Sequence, residues 1–520
     1  MLSAWTGGPV STTRRRICLG LLGALSAVLA VRAVGVFGDF AASIHFPFEL
    51  EYGEGIVWQQ AALIPGRHMY GTAQDLPFIV FHYPPLYYLL ARAALSVEPN
   101  FLAAGRLVSA LGAVLTALSV AALVRISARG GGRPIERAEW AIAIAAGLLT
   151  LRLYTVHDWS LLMRVDTAAI ALSMLGLLVG AWANGRFLGT TVALLFCLAS
   201  VYTKQTELPA GVAVFLIAVT RNPRGALGAA AIAGLAGLAA LGVMQWLTDG
   251  GFLLNIVGYN INRYSLRHAW LLFLSEQRAN FPFMALMPIA AGAVLLAPVE
   301  QRPGERWRPA IARFVAGLGD ADRATAARAI VLVHFTLASV MLLTAGKSGA
   351  NSNFFLDWDC VGCVLIGVML CDLIGAEWRA SVAATGPILA LMLLGVLILP
   401  QRDIEDGVLE AQQGPMTALL GRIAAATKPV ASEEMALLMR AGKPLVFEPA
   451  IVTELATLGR WDERPLVGMI RSGGFAFMIT TDDTVGGSER RTPAVDAAMR
   501  EAYPRVEQPT PYLWLHLPGP

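Results

Sequence analysis

Apolar residues gather in eleven long runs, at about 17–37, 101–124, 139–156, 167–183, 187–203, 208–220, 227–247, 281–298, 329–346, 360–376 and 380–399. Runs of this kind satisfy their backbone polar groups only as helices, and most are long enough to cross a bilayer. The pattern predicts an α-helical polytopic membrane protein with about eleven transmembrane helices over residues 1–400. Beyond that the pattern changes. From 401 to 520 charge returns, and helix-like stretches (407–426, 433–440) alternate with strand-like runs at 429–430, 444–448, 475–480 and 512–517. Such alternation predicts a small α/β domain, long enough to bury a core of its own.

The polar positions between the runs are not alike. Arg14, Arg15 and Arg16 precede the first run, which exceeds the apolar region of about 7–15 residues in a signal peptide and is read as a retained signal anchor. Arg-bearing loops follow the second, fourth, sixth, eighth and tenth runs, among them Gly130 to Gly132 with its flanking arginines, the stretch 299–328, and Glu377-Trp378-Arg379. Basic loops mark the cytoplasmic side. The loop 39–92, the turns at 157–166, 204–207 and 347–359, the loop 248–279 and the tail 401–520 are therefore expected outside. The expected location is a bacterial inner membrane, multi-pass, with an extracytoplasmic C-terminus.

Composition agrees. The chain has 520 residues, 56% hydrophobic and 15% charged, where a soluble chain averages about 25% charged. Its net charge of +3 is small and its arginines are dispersed, which argues against a nucleic-acid partner. Of the five cysteines, Cys18, Cys197 and Cys371 lie in apolar runs and act as small hydrophobes. Cys360 and Cys363 form a C-x-x-C at the start of a run, with no second pair to complete a metal site.

Candidate chemistry collects on the expected outer side. Glu49, Glu51 and Glu54 stand within six positions just after the first run. Carboxylates held at a membrane face suit general-base chemistry, although a loop between spans is ordinarily just solvated. Arg164 and Asp166 stand at a membrane boundary, where ionisable groups face a protein interior or a cavity; they either pair with each other or meet a ligand. Lys204, in Thr203-Lys204-Gln205-Thr206-Glu207, suits a phosphate oxygen or simply snorkels to the interface. Gly346-Lys347-Ser348 lacks the glycine spacing of a phosphate loop, leaving Lys347, Asn351 and Asn353 as donors to a polar ligand. The loop 248–279 adds Arg263 and His268, and the Tyr83-Pro84-Pro85 turn adds Tyr83.

Taken in order, the motifs resemble a known class. They are E-G-x-x-x-x-x-A at Glu54 to Ala61, G-x-x-x-Y at Gly66 to Tyr70 and Y-P-P-L-Y-Y-L-L at Tyr83 to Leu90. R-x-D at Arg164 to Asp166, T-K-Q-T at Thr203 to Thr206 and G-A-N-S-N-F at Gly349 to Phe354 complete the set. Over roughly residues 15–400 this is similar to the GT-C integral-membrane glycosyltransferases, in the branch of protein O-mannosyltransferases and lipid A aminoarabinose transferases. The resemblance implies inverting transfer of a sugar from a polyprenyl-phosphate donor, outside the membrane, to a glycan, lipid or protein acceptor. It implies a first-loop carboxylate base, here Glu51 or Glu54, and basic residues at the membrane surface that hold the lipid phosphate; the candidate substrate site read from the residues is Tyr83, Arg164, Asp166, Lys204, Arg263, His268, Lys347, Asn351 and Asn353. The resemblance leaves a divalent metal open. Relatives often carry an Asp-Glu pair where this chain has Gly53-Glu54; the expectation is Glu51 as base with Glu54 as its supporting partner or a metal ligand. The loop 248–279 and the tail are expected to select the acceptor. Two other classes stand beside this one: a lipid or solute transporter, many of which show inverted repeats or paired broken helices that this sequence does not display, and an envelope scaffold working through its tail.

Overall fold

A computed structural model describes residues 12–66, 68–128, 136–297, 315–375, 379–400 and 407–519. The N-terminus before Thr12, Arg129 to Arg133, most of the basic stretch 299–328, Glu377-Trp378 and the start of the tail lie outside the described residues. The chain is an integral, multi-pass α-helical membrane protein with a small sheet near its C-terminus. All eleven apolar runs fall on helix, some broken. Among the described residues, five helices are by themselves long and apolar enough to cross a membrane, or seven if each of two bent pairs counts as one span. The helices Phe187–Val201 and Pro209–Arg221 and the segment Ala384–Ile398 are apolar but shorter, and the helix Leu356–Gly375 carries Asp357, Asp359 and Asp372. Length and composition of the described helices thus do not by themselves establish the expected eleven spans.

Helix ends follow local chemistry. Asn100 caps Phe101–Ser127 by accepting from Leu102 N and Ala103 N at 3.0 and 3.3 Å, and Asp322 caps Arg323–Met341, each satisfying amides that a helix leaves unpaired. Asn184 closes Asp166–Ala183 in the left-handed conformation. Small residues allow close contact between helices: a Cβ on Gly112 would lie 2.8 Å from the Thr167 carbonyl oxygen. The first helix, Thr12–His45, runs eight residues past the predicted end at 37. Asp39 is therefore helical, paired at 2.9 Å with the buried His157, and the first loop begins at Phe46.

That loop is largely structured. It contains the helices Gly53–Ala62 and Leu86–Ala94, and it packs against the tail. In the tail, β1 (Ala431–Ser432), β2 (Met478–Thr480), β3 (Arg505–Thr510) and β4 (Leu513–Leu517) form one sheet in the order β1-β2-β4-β3. β1 runs parallel to β2, with Ala431 opposite Met478; β4 is antiparallel to both its neighbours. β3 escaped the sequence pattern because it is a polar, mostly exposed edge strand. The run 429–430 leads directly into β1, with Pro429 O accepting from Ala476 N at 2.8 Å, whereas 444–448 is not a strand of this sheet. Instead Phe447 forms a parallel bridge with Phe78 of the first loop, where Phe78 N donates to Val446 O at 2.8 Å and Glu448 N to Phe78 O at 3.0 Å. Val57, Trp58, Ile79 and Phe81 of the loop share one apolar core with Met435, Leu438, Ile479 and Leu515 of the tail. Loop and tail consequently cover the same end of the helices.

Candidate active site

Glu54 lies in the first turn of Gly53–Ala62 and is wholly buried. Its Oε1 accepts from Arg106 Nε at 2.8 Å and Met163 N at 2.7 Å; its Oε2 accepts from Arg106 Nη2 and Leu50 N, both at 2.7 Å. Arg106 spends its remaining donors on the carbonyls of Ser43, Phe46 and Phe48. Two charges out of water stay together only when their hydrogen bonds are completed in this way. Both oxygens of Glu54 are thus fully engaged in tying the loop to the helix Phe101–Ser127, with no lone pair open to a proton or a metal. Sequence reading passed over Arg106 because it sits inside an apolar run; an ionisable residue in such a run was the available signal.

Glu51 is placed differently. Its side chain is 30% exposed. Oε2 accepts from Gly53 N at 2.8 Å and Arg164 Nη1 at 3.2 Å, while Oε1 has no partner among the described residues. Arg164 lies over the Trp159 ring, its Cζ 5.1 Å from the centroid, with its Nε 3.9 Å from Asp166 Oδ2. Asp166 Oδ1 accepts from Lys204 Nζ at 2.8 Å and Asn353 Nδ2 at 2.9 Å. Lys204 also stands 3.5 Å from Glu207 Oε1. The result is one row of alternating charge, Glu51, Arg164, Asp166, Lys204, Glu207, built from three separated pieces of chain. Burial opposes the charges of Arg164 and Lys204, but their carboxylate neighbours outweigh it and hold both above their ordinary range. Both cations are firmly ionised. Burial lifts Glu207 to about 7 despite Lys204.

The Lys204 end of the row opens on a small pocket lined by Lys204, Glu207, Met341, Asn353, Phe354 and Trp358. Tyr83 is half-buried beside the row; burial raises its phenol, and the charges of Arg164, Asp166, Lys204 and Glu51 all reach it. His82 next to it is held neutral, lowered to about 4 by burial and by the charges of Lys347 and Arg164. Its carbonyl is clamped by Gln205 Nε2 and Asn260 Nδ2, each at 2.9 Å.

The remaining predicted residues form a second group. Lys347 Nζ donates to Asn260 O at 3.2 Å, and burial lowers its ammonium. His268 Nε2 is 3.1 Å from Ala350 O, Asn351 caps Ser352 at 2.7 Å, and Arg263 pairs loosely with Glu454 of the tail at 3.7 Å. Only Asn353 joins the charged row; His268 and Lys347 hold the loop 248–279 to the turn 347–359 beside it, Arg263 reaches from that loop to the tail, and Asn351 caps within the turn. No three His, Cys, Asp or Glu side chains converge as a metal would need among the described residues.

No family model matches this chain, nor does any curated protein. Solved structures do. ArnT from Cupriavidus metallidurans without ligand has a TM-score of 0.51 at 14% identity, covering 95% of this chain and 98% of that one. The same protein bound to undecaprenyl phosphate gives 0.50 at 13%, covering 94% and 99%. The archaeal oligosaccharyltransferase AglB from Archaeoglobus fulgidus, in complex with an inhibitory peptide and a dolichol-phosphate, overlaps at a TM-score of 0.44 and 12% identity, over 87% of this chain and 69% of that one. The likeness to ArnT spans both chains nearly end to end: the fold is GT-C-like, as the motif order implied.

Proposed function

We propose that this protein is a glycosyltransferase that moves a sugar from a polyprenyl-phosphate donor to a hydroxyl acceptor on the extracytoplasmic face of the membrane. The observation that carries the reading is the charged row: a carboxylate with an open oxygen at one end, and two firmly ionised cations leading to a cavity at the membrane end. Its setting, a GT-C-like fold whose neighbour ArnT is seen with undecaprenyl phosphate, supports the same reading.

Glu51 Oε1 accepts the acceptor's proton as the acceptor oxygen bonds to the anomeric carbon. The bond from that carbon to the phosphate oxygen breaks on the far side, so configuration inverts and the polyprenyl phosphate leaves with the electron pair. Lys204 and Arg164 stand where that charge develops, and preorganised cations are worth most in such a water-poor site. Tyr83 and Asn353 orient the head group beside the small pocket at Lys204. Glu54 keeps Glu51 in place. The second group, Arg263, His268, Lys347 and Asn351, borders the acceptor side together with the tail. A divalent metal is not required by this scheme.

The test is transfer of label from a panel of polyprenyl-phosphate sugars by the purified protein in lipid, beside Glu51→Gln. Product from one donor, lost in the variant, is expected. Equal product from both proteins removes Glu51 as base, and an absence of product with every donor removes the transferase reading.

A further inference from the structure

Glu448 belongs to the tail, far in sequence from the row, and its side chain has no solvent exposure. Neither carboxyl oxygen has a hydrogen-bond partner among the described residues. Its backbone, by contrast, is fixed. Glu448 N donates to Phe78 O at 3.0 Å, and two residues on, Ala450 N donates to the Tyr52 hydroxyl at 3.0 Å. The residue is thereby held against the first loop beside Tyr52, the neighbour of Glu51. The electrostatic influence of its carboxyl reaches the Tyr52 phenol, and the Arg164 charge reaches Glu448 in turn.

A buried polar group without partners costs stability. A fold retains such a group where something else uses it. Burial raises the Glu448 carboxyl well above its ordinary range, against the pull of Arg164, which favours the protonated form, with one O–H donor and spare acceptor capacity. That is the complement of a hydroxyl, which also donates and accepts. An ammonium ligand would meet the Arg164 charge, so the chemistry favours a hydroxyl.

We propose that Glu448 is a sugar-contacting group of the site, delivered by the tail, whose carboxyl hydrogen-bonds a ring hydroxyl of a sugar held beside Glu51 and Arg164. This rests on the transferase reading above. The sugar is either the donor's or that of a glycan acceptor. Together with Tyr52 it makes the tail a wall of the active site rather than an appendage.

The experiment compares the full-length wild type, Glu448→Gln and Glu448→Leu in lipid. Affinity is measured for undecaprenyl phosphate and for undecaprenyl-phosphate hexoses and pentoses, transfer is measured onto an envelope glycan extract, and thermal midpoints are recorded. The expected result is a Leu variant as stable as wild type or more so, with unchanged affinity for undecaprenyl phosphate. The extra affinity given by the sugar falls tenfold or more and is partly restored by Gln, which identifies the donor sugar. Retained donor affinity with a tenfold loss of transfer onto the glycan extract identifies the acceptor sugar instead. Sugar-dependent binding and transfer both unchanged in the Leu variant would overturn the proposal. So would a midpoint lowered by several degrees in both variants, which marks a merely structural group. A wild type that neither gains affinity from any sugar nor transfers one defeats the transferase reading itself, an outcome visible without either variant.

Discussion

The Arg164 guanidinium fills the space where a side chain at Gly53 would stand: an ideal Cβ there lies 1.2 Å from Arg164 Nη1 and 2.8 Å from Glu51 Oε2. The glycine standing beside Glu54 is therefore matched by an arginine arriving from another segment. Gly53→Ala is expected to evict the guanidinium from Glu51, lowering transfer at least tenfold while the apolar core between loop and tail stays intact. Initial rates beside thermal midpoints check it. An alanine variant with wild-type rates would mean that the Glu51–Arg164 contact does not matter.

Two glutamates three positions apart are predicted to fail in opposite ways. Glu54→Ala leaves Arg106 buried without its partner, and breaking such a pair costs about 3–5 kcal/mol. The expected variant is poorly folded or expressed. Glu51→Gln alters a partly exposed carboxylate with one cationic contact, and a change of this kind moves stability by about 1 kcal/mol or less. Thermal unfolding in lipid separates the two. Comparable midpoints for both variants would contradict the anchoring role of Glu54.

How far the sequence reached can be judged from these same residues. The apolar runs, the carboxylate loop, Arg164, Asp166, Lys204 and Asn353 were legible because each carries a local signal: run length, a charge at a membrane edge, a cation among hydroxyls and amides. Their joining into one row was not, since it depends on helix packing that places residues 51, 164, 204 and 353 side by side. Arg106 was hidden by its apolar surroundings. Glu448 carried no signal at all, because its meaning comes from the Phe78–Phe447 bridge, a pairing between segments remote in sequence. The polar edge strand β3 was missed because hydropathy does not mark it, and the end of the first helix was set at 37 although Pro47, two residues past His45, is the breaker that marks it.

Lys204 is expected to act through charge at the phosphate. Lys204→Met removes the ammonium but keeps most of the stem, and it leaves Asp166 with Asn353 and the more distant Arg164. Affinity for undecaprenyl phosphate should fall by about ten- to a hundredfold, the equivalent of about 1.4–2.7 kcal/mol, with a smaller effect on an uncharged polyprenol. Lys204→Arg should recover part of the loss. Equal weakening for phosphate and alcohol would reduce Lys204 to a structural role.

The contact between loop and tail is predicted to weaken as pH rises. Glu434 stands beside the first loop, and burial lifts its carboxyl from an ordinary 4.5 to about 7, aided by Glu433, Glu51 and Glu54 and opposed by Arg490. Glu49, raised chiefly by burial and next by Glu434, faces it from the loop. Between those two pH values the folded protein holds a proton that the unfolded chain has released, so stability falls with rising pH. The contribution is complete below about pH 4.5 and is lost as pH passes through about 7. The thermal midpoint should therefore drop between these limits, and Glu434→Gln, which cannot ionise, should flatten the drop. Part of the slope will remain, because Glu207 also sits near 7 with the same sign. A Gln variant with the full wild-type slope would show that the proton is held elsewhere.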